Sequence, residues 1–490
     1  MCNECSSGGA DKFDESDAEA IAVLLLKDPK WRVRAVERID LTSASWCDRR
    51  RSVHVKALES FLPSEFVSGR KRARLYVPIG SFPKGPLLDF SVSVAGAPAF
   101  LLPRNEHARI HVEYVKFLAA QAGITVRPSL ESLLAAIFGF ASNPWEVFLQ
   151  SESNPSKGVI NSLLCNYFKK NGLPGWNGGP VAVEVVETWA SAVDAIQKLV
   201  RERAPENVLS AAENPLLALP HLEPHLLPNP QTVVDLLSEL KDFLTAVWVK
   251  SASPTPDTSK GASNQLLDFY ASSGNHWSAI AECTVPLLEP FMIKTSERRS
   301  LGLKSGHMAS QKVSKQLVTF NDAYSNHVSV RVLDTNVEVV SPQATVLDEK
   351  RDPIDLTPDY KRATPELLSF YDADPHRPAR IWLNLPLQAS LPARVSRLVI
   401  LTLTVTALVA FCFFVFNWLG VGGSQAMTGA DIAVILVPSA IAASLLIVRE
   451  VSTLSTEINK GWTLATGGVL MVLWFSTLIA YGLSAINWGK

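Results

Sequence analysis

Hydrophobic residues are spread unevenly along the chain, and the densest runs lie at its C-terminal end. Three runs there contain no charged residue: Leu398–Leu419, Ile432–Val448 and Leu464–Trp488. A helix needs about 17–25 apolar residues to cross the hydrocarbon core of a bilayer, and each run has that length. The pattern therefore predicts three transmembrane helices within a membrane segment of residues 394–490.

Basic residues are distributed unequally between the two ends of these predicted helices. Arg394 and Arg397 precede the first run, and Arg449 and Lys460 lie between the second and the third. The loop between the first and second runs has neither Lys nor Arg. Because positive residues accumulate on the cytoplasmic side of a membrane, we expect a multi-pass protein of the cell (plasma) membrane. Residues 1–393 are then cytoplasmic and the C-terminus is outside.

Before the membrane segment, the period of the hydrophobic pattern changes several times. Apolar and polar residues alternate in Ser52–Ala57 and in His327–Val332, as in half-buried strands. Glu106–Ala122 has apolar residues at helical spacing, and Ser251–Asn264 is rich in Ser, Pro, Thr and Gly, as linkers are. The predicted fold class is an α+β multidomain membrane protein. Its predicted parts are a disordered tail (1–16), a small β domain (17–103), a helical domain (104–250), a linker (251–264), a β-sandwich-like domain (265–393) and three transmembrane helices (398–419, 432–448 and 464–488).

Composition narrows the class of protein without giving an activity. Of the 490 residues, 47% are apolar and 19% are charged, which is too apolar for a disordered chain. The net charge of −1 disfavours a dedicated nucleic-acid binder, because such proteins carry a basic excess. Six cysteines in a chain of this length do not make a disulfide scaffold.

Two histidines in the helical domain are candidates for metal chemistry. His107 and His111 are four residues apart, which places both imidazoles on one helix face, with Glu106 and Glu113 close by. Ala108 occupies the position of the general base in the H-E-x-x-H signature of zinc proteases. Because no third ligand is identifiable in the sequence, a solvated helix face is the favoured interpretation.

Two further pairs have the spacing of metal ligands. Cys2 and Cys5 lack the second pair that a tetrahedral zinc site requires, so a mobile tail is the better account. His221 and His225 repeat the spacing of four, but the prolines beside them argue against a helix. Neither a metal nor a cofactor is predicted.

The densest basic runs are Arg49–Arg51 and Arg70–Arg74. Such runs either bind anionic lipid headgroups or form solvated strand ends that blunt the edges of a sheet. Acidic residues are mixed through the same region, which favours the second interpretation.

Polar residues are scarce inside the predicted spans. Asn417 is the conspicuous one, whereas a transporter places charged or several polar residues near the bilayer centre. Anchoring is therefore predicted rather than transport. Ser439 and Ala443, like Ala440 and Ser444, are four residues apart and permit close helix packing. That packing is either within one chain or between copies in a homo-oligomer.

Several short segments of the two β regions resemble a pattern found in one group of proteins. The segments are Val77–Ile79, Lys84–Phe90, Leu101–Arg104, Ser325–Val328, Asp334–Asn336, Tyr371–Asp372 and Arg380–Trp382. They are similar to uncharacterised bacterial membrane proteins of the actinobacterial type, in which a cytoplasmic region precedes C-terminal membrane helices. The resemblance implies that arrangement here, and it implies no activity and no catalytic residue.

Two classes of function remain open at the level of the sequence. The first is a membrane-anchored cytoplasmic binding, scaffold or sensing protein, with the lipid bilayer and a protein at the inner membrane face as its partners. The second is a membrane-tethered enzyme, a metal-dependent hydrolase that would use His107, His111 and Glu113. Walker, Rossmann and nucleophile-elbow motifs are absent from the sequence, so no catalytic residue is assigned.

Overall fold

A computed structural model of the chain describes residues 15–27, 29–84, 88–140, 157–171, 179–201, 203, 210–222, 229–253, 258–274, 276–305, 311–319, 323–340, 343–347, 353–355, 361–364, 367–372, 380–420, 428–448 and 452–487. Over these residues the protein is a mixed α/β structure with several sheets. Three C-terminal helices are long and apolar enough to cross a membrane. The predicted fold class is therefore confirmed.

The strands assemble into one large and two smaller sheets. They are β1 (Arg32–Leu41), β2 (Trp46–Val55), β3 (Arg72–Pro83), β4 (Leu88–Val94), β5 (Ala97–Pro98), β6 (Phe100–Leu101), β7 (His276–Pro286), β8 (Phe291–Ser300), β9 (Lys304–Ser305), β10 (Lys312–Thr319), β11 (Ser325–Val332), β12 (Val337–Val339), β13 (Gln343–Leu347), β14 (Pro353–Asp355), β15 (Lys361–Thr364), β16 (Leu367–Asp372) and β17 (Arg380–Ala389). The eight-stranded sheet has the order β15-β16-β11-β1-β2-β8-β4-β5. A second sheet has the order β14-β13-β17-β10-β9, with β12 paired to β17, and a third has the order β3-β7-β6.

Strands from both predicted β domains share these sheets. Strand β1 pairs antiparallel with β2 and parallel with β11, where Arg34 lies opposite Ser325. Strand β3 pairs with β7 along its whole length. The ranges 17–103 and 265–393 therefore form one interleaved β body, which we define as strands β1 to β17. Alternation in the sequence predicts a strand but not its partner, so periodicity could not show this pairing.

Two apolar cores lie against the inner face of the large sheet. The distal core packs Val53 and Ile293 of that sheet against the three-stranded sheet. The proximal core packs Ile39 and Leu41 against the sheet of β10 and β17, including Leu385. Each core buries side chains of two sheets, as in a sandwich.

The helices form a separate layer and a C-terminal bundle. They are α1 (Glu15–Lys27), α2 (Ser64–Val67), α3 (Arg104–Gln121), α4 (Pro128–Gly139), α5 (Lys157–Asn171), α6 (Val183–Val200), α7 (Pro230–Ser251), α8 (Thr258–Ser273), α9 (Leu391–Gly420), α10 (Gly429–Val448) and α11 (Thr453–Asn487), with 3₁₀ turns at Pro29–Trp31, Leu58–Ser60 and Pro215–His221. Helices α3 to α8 enclose Trp189, Phe168 and Tyr270, all fully buried. Helix α7 begins with a side-chain cap, because Asn229 Oδ1 accepts a hydrogen bond from Thr232 N at 3.0 Å.

The linker predicted at 251–264 differs from the structure. Helix α7 extends to Ser251, and helix α8 already begins at Thr258. Leu266, Leu267 and Tyr270 further along α8 are fully buried in the helical core. The Ser- and Gly-rich residues are therefore the first turns of a helix that its later apolar residues hold in place, since tertiary packing overrides weak propensity.

The three C-terminal helices pack against one another through small and aromatic residues. Ser439 and Ala442 are fully buried, and Trp474 Nε1 donates a hydrogen bond to Ser439 Oγ at 2.9 Å. Ala440 and Ser444 instead lie on the exposed side of α10. Of the two predicted small-residue pairs, the one that contains Ser439 is therefore the one that packs inside the bundle.

Candidate functional site

A polar pocket lies between the two apolar cores, at the seam where the three sheets meet. We call it the seam pocket. It is lined by Glu37, Arg49, Arg51, Gly80, Ser81, Phe82, His276, Thr295, Glu297, Arg299 and Leu317. These residues come from β1, β2 and β8 of the large sheet and from β3, β7 and β10 of the two smaller ones.

Strand alternation places the charged side chains in this pocket. Along β2, Val53 and Val55 are buried, and so is Arg49, whereas Arg50 is exposed. Arg49 and Arg51 therefore share the inward parity of the two valines. The prediction that Arg49–Arg51 form a solvated strand end is wrong for Arg49, which is 4% exposed. The parity of Val53 and Val55 was the signal that could have shown it.

Register brings acidic partners to these arginines. Arg51 lies opposite Glu37 of β1, and Arg49 lies opposite Glu297 of β8. Arg49 Nε donates a hydrogen bond to Glu37 Oε1 at 2.7 Å, and its Nη2 donates to Leu317 O at 3.0 Å. Glu37 also accepts an ion pair from Arg51, and Arg299 pairs with Glu297. Each glutamate of the pocket is thus paired with at least one arginine.

The electrostatics of the seam pocket favour the ionised forms of Glu37 and Arg49. Burial opposes ionisation of Glu37, but the charges of Arg49, Arg51 and Arg299 outweigh it and hold the pKa of this carboxyl below its usual value. Burial, together with the positive charge of Arg49, lowers the pKa of Arg299 to about 10. Arg49 and Arg299 therefore remain charged near pH 7.

A second buried polar group, which we call the histidine–lysine cluster, consists of Lys84, His107, His111, Trp277 and Ser278. His107 and His111 are 3% and 1% exposed, so the predicted solvated helix face is wrong. Their Nε2 atoms lie 2.6 and 3.3 Å from the same carbonyl, Ser278 O, and their rings are 4.1 Å apart. The two imidazoles therefore tie helix α3 to strand β7.

Lys84 is the remaining charged member of the cluster. Among the described residues, no acidic side chain pairs with it. Its Nζ donates to Ile137 O at 3.2 Å and Phe138 O at 2.9 Å, at the C-terminal end of α4. Burial and the nearby charge of Arg104 lower the pKa of Lys84 to about 7. Burial also lowers the pKa of His107 to about 4. Carbonyl oxygens here take the role that carboxylates have in the seam pocket.

Glu113, the third residue of the hydrolase hypothesis, is engaged with a lysine. Glu113 forms its ion pair with Lys116 at 2.9 Å on the outer side of α3, away from the imidazoles. Within the part of the chain that the structure describes, no group of three or more His, Cys, Asp or Glu residues is placed to hold a metal ion.

The other candidates from the sequence lie apart from both groups. Cys2, Cys5 and His225 lie outside the described residues. His221 is exposed at the end of a 3₁₀ turn, and Asn417 is exposed near the end of α9. The basic run at 70–74 stays largely at the surface, as predicted, with its arginines exposed or half-buried.

The base of helix α11 packs into the proximal core of the β body. We call residues 452–462 the junction segment. Leu454 and Ile458 are 0% and 5% exposed and belong to the proximal core. The Asp334 carboxylate accepts hydrogen bonds from Ser455 N, at 3.2 Å, and from the Ser452 hydroxyl, which caps the helix start.

A second attachment lies beside the first. Strand β17 ends at Ala389 and helix α9 begins at Leu391. Arg394 in the first turn of α9 pairs with Glu338 of β12, and its Nε donates to Ala389 O at 2.8 Å. The β body is thus held to the helical bundle at two neighbouring points.

Comparison with known proteins identifies no relative of this chain. No family model, no curated protein and no solved structure matches it. The resemblance of its β segments to uncharacterised bacterial membrane proteins therefore stays a prediction, and the geometry described above is the basis for any functional conclusion.

Proposed function

We propose that this chain is a membrane-anchored cytoplasmic sensing and binding protein, whose β body and membrane helices move as one unit. The burial of Leu454 and Ile458 in the proximal core is the observation that carries the proposal. A protein that is merely tethered needs only a flexible connection, whereas here a membrane helix completes the core of the soluble part.

The packing of the junction supports transmission of a signal in either direction. Protein interiors are close-packed and transmit strain, so a shift of α11 changes the packing of the strands around Leu454. The ion pair of Lys312 with Glu457, at 3.7 Å, joins β10 to the same helix. Coupling of this kind is reciprocal, because a ligand that stabilises one arrangement of the body also stabilises one arrangement of the bundle.

The cytoplasmic placement of the body rests on the basic residues at the junction. Arg394 contacts the β body, Arg397 lies over the ring of Trp462, and Lys460 is close to Glu457. These positive residues are at the same end of the bundle as the soluble part, which supports an inside location. A reporter fused after Lys490 is then expected to be extracytoplasmic, and one fused at the N-terminus cytoplasmic.

The contacts of the two histidines favour sensing over hydrolysis. Both imidazoles bond the carbonyl of Ser278, and Glu113 is engaged with Lys116. A hydrolase needs a general base that water and substrate can reach, whereas both imidazoles are buried.

A pair of matched substitutions in α10 tests the proposed coupling. Ser439→Leu overfills a fully buried position beside Trp474, whereas Ser444→Leu makes the same change on the exposed side of the helix. Hydrogen exchange of the full chain in nanodiscs is the measurement. We expect Ser439→Leu to speed exchange in the junction segment and in β17, with no change for Ser444→Leu.

The same experiment can contradict the proposal. If Ser439→Leu lowers the unfolding temperature of the bundle but leaves exchange in the junction segment and in β17 unchanged, the helices are an anchor and carry no signal.

A further inference from the structure

We propose that the outer face of the large sheet is a docking surface for an acidic, extended segment of a cytoplasmic protein. The inference rests on which outward cations of β1, β2 and β8 have acidic partners, and on the spacing of those that have none. It deepens the proposed function and rests on it, because it names the class of partner that a cytoplasmic binding protein would take.

The register of the strands defines this face. The two apolar cores lie on the inner side of the large sheet, so alternate residues of its strands point to the outer side. Along β2 the outward residues include Arg50, Ser52 and His54, and Arg50 and His54 are exposed. Strands β1 and β8 flank β2 on its two sides. The outer face is therefore accessible to a partner along β2.

Near the hairpin between β1 and β2, the charges of this face are balanced. Three arginines there pair with three aspartates: Arg38 and Arg331 with Asp40, and Arg298 with Asp48 and Asp89. The hairpin contacts the start of α11, because Ala44 N donates a hydrogen bond to Thr453 Oγ1 at 3.2 Å. These six charged residues therefore leave no net charge at the end of the face that is next to the membrane helices.

Further from the hairpin, three exposed cations have no acidic partner among the described residues. They are Arg50 of β2, Lys294 of β8 and Arg34 of β1, and we call them the outer cations. The outward residues that surround them carry no carboxylate: Val36, Ser52, His54, Met292 and Ser296. Burial and the positive charge of Arg34 together lower the pKa of His327 on the neighbouring strand β11. The charge of Arg34 is thus felt by its neighbours.

The outer cations lie at three successive levels of the sheet. Ser52 follows Arg50 by one level along β2 and lies opposite Lys294. His54 follows by one more level and lies opposite Arg34. One level corresponds to two residues of a strand, about 6.6–6.8 Å. An extended peptide along β2 repeats its side chains at the same distance, so Glu or Asp at every second residue would meet one cation at each level.

The membrane surface is too distant to be the partner of this face. About 13 Å of strand separates Arg50 from Trp46, where the hairpin ends. The charge-free part of α11 begins only after Lys460, about 10 Å of helix beyond Thr453. Charges in physiological salt are screened over about 8 Å, so anionic lipid would attract the outer cations weakly.

Nucleic acid is disfavoured by the chemistry of the same face. Strands β1, β2 and β8 place no Trp, Tyr or Phe outward at these three levels, whereas surfaces for single strands stack bases on such rings. The net charge of the chain is −1, without the basic excess of a nucleic-acid binder. Carboxylates of an acidic protein segment need only the cations, and the Ser52 hydroxyl is a further donor on the same line.

The test uses the full chain in nanodiscs of zwitterionic phosphatidylcholine. The probe is a fluorescein-labelled peptide in which Glu and Thr alternate, and the matched control peptide has Gln in place of Glu. Fluorescence anisotropy measures the affinity. We expect the Glu peptide to bind, its affinity to fall as salt is raised, and the Gln peptide not to bind.

Two triple variants with the same change in net charge locate the binding. Arg34→Gln/Arg50→Gln/Lys294→Gln removes the outer cations, each of which should contribute about two- to fivefold to the affinity, so the variant should lose about tenfold or more. The control is Lys170→Gln/Lys198→Gln/Lys250→Gln, which removes three exposed lysines of α5, α6 and α7. We expect the control to bind the Glu peptide as the original protein does.

A single added charge tests the line along β2. Ser52→Glu places a carboxylate between Arg50 and Lys294 and should reduce the affinity for the Glu peptide at least as much as the loss of one outer cation. Ser191→Glu adds the same charge at an exposed position of α6 and should have no effect.

Several results would overturn the proposal. The Glu peptide fails to bind, or the two triple variants weaken it equally. An oligonucleotide of equal charge binds more tightly than the peptide and loses affinity when the outer cations are removed, so that nucleic acid is the occupant. Phosphatidylserine in the nanodiscs slows hydrogen exchange in β1, β2 and β8 without peptide, so that lipid is the occupant. The chain sediments as an oligomer that the loss of the outer cations dissociates, so that a second copy is the occupant.

The hydrogen-exchange test of Ser439→Leu involves none of these residues. A failure of the peptide test therefore leaves the proposed coupling of body and bundle in place, and a failure of the coupling test leaves the peptide result in place.

Discussion

The seam pocket and the histidine–lysine cluster bury ionisable groups to a similar degree and treat their charges in opposite ways. In the seam pocket, Arg49 and Glu37 lie on neighbouring strands and remain ionised as a pair. In the cluster, Lys84 and the two imidazoles have carbonyl oxygens as partners, and burial lowers the pKa of each cationic group. The pocket keeps its charges and the cluster tends to lose them.

The difference follows from what the neighbouring element supplies. The strands on either side of β2 carry glutamates directly opposite its buried arginines. The attraction between these charges offsets the cost of removing them from water. The C-terminal end of α4 and the carbonyl of Ser278 provide only partial negative charge, which is too weak to hold a buried proton on imidazole at neutral pH. The two sites should therefore respond differently to mutation and to pH.

The largest effect is expected from breaking the pair in the seam pocket. Glu37→Gln leaves Arg49 and Arg51 without their shared carboxylate, and removing one partner of a buried ion pair costs about 3–5 kcal/mol. Chemical denaturation of the full chain in detergent is the measurement. Asp48→Asn, which breaks the surface pair with Arg298, is the control and should have a much smaller effect, because water screens exposed pairs. Equal effects of the two variants would mean that the pocket is wet and its charges are screened.

At alkaline pH, the contribution of Lys84 to stability can be measured separately from that of the histidines. The pKa of Lys84 is about 7 in the folded protein and 10.5 in an unfolded chain, so the unfolded state binds more protons between these values. Stability contributed by this position therefore rises as pH rises from about 7 to 10.5, by on the order of 3–4 kcal/mol. Lys84→Met should flatten this rise, and Lys250→Met, at an exposed position, should not. If stability still rises with pH to the same extent in Lys84→Met, the buried Lys84 is not the cause of that rise.

The two histidines dominate the change in stability at mildly acidic pH. The pKa of His107 is about 4 in the folded protein, against 6.5 in an unfolded chain, and that of His111 is also lowered. The unfolded state therefore takes up protons first, and the contribution of His107 to stability falls by on the order of 2–3 kcal/mol as pH falls from 6.5 to 4. His111 changes stability in the same direction. His107→Phe should remove part of this fall. The contribution of Glu37 to stability is lost only as pH falls below 4.5, the pKa of this carboxyl in an unfolded chain. The effects of the histidines and of Glu37 therefore occur at different pH in one titration.

The smallest effect is expected where a charge is only half buried. Asp334→Ala removes the cap of the junction segment, and loss of a cap costs about 1 kcal/mol. Faster hydrogen exchange confined to residues 452–458 is the expected result. Global destabilisation as large as that of Glu37→Gln would show that this carboxylate belongs with the deeply buried pairs.

Local patterns predicted the elements of this protein well and their partners poorly. The three membrane helices follow from charge-free runs of sufficient length, and the strand at His327–Val332 follows from its alternation. The pairing of β1 with β11 depends on contacts between distant parts of the chain, which no local pattern contains. The same limit applies to α8, whose first residues are helical because its later ones are buried.

The candidate site was predictable in part. Arg49 belongs to a run of three arginines, which suggests a solvent-exposed position. Only its even spacing from Val53 and Val55 along the strand indicates that it lies on the inward face. The i, i+4 spacing of His107 and His111 correctly placed both rings on one side of a helix. Which way that side faces depended on strand β7, and the sequence of α3 does not carry this information.

The order in which the chain leaves the ribosome gives the junction segment a further role. Strands β1 and β2 emerge early, but their partners β8 and β11 follow only after the whole helical layer. The proximal core is completed later still, since Leu454 and Ile458 are synthesised after α9 and α10. The β body therefore keeps an open apolar core until the start of α11 has been synthesised. A chain that stops before Leu454 leaves that core exposed, and exposed apolar surface of this kind favours aggregation and degradation.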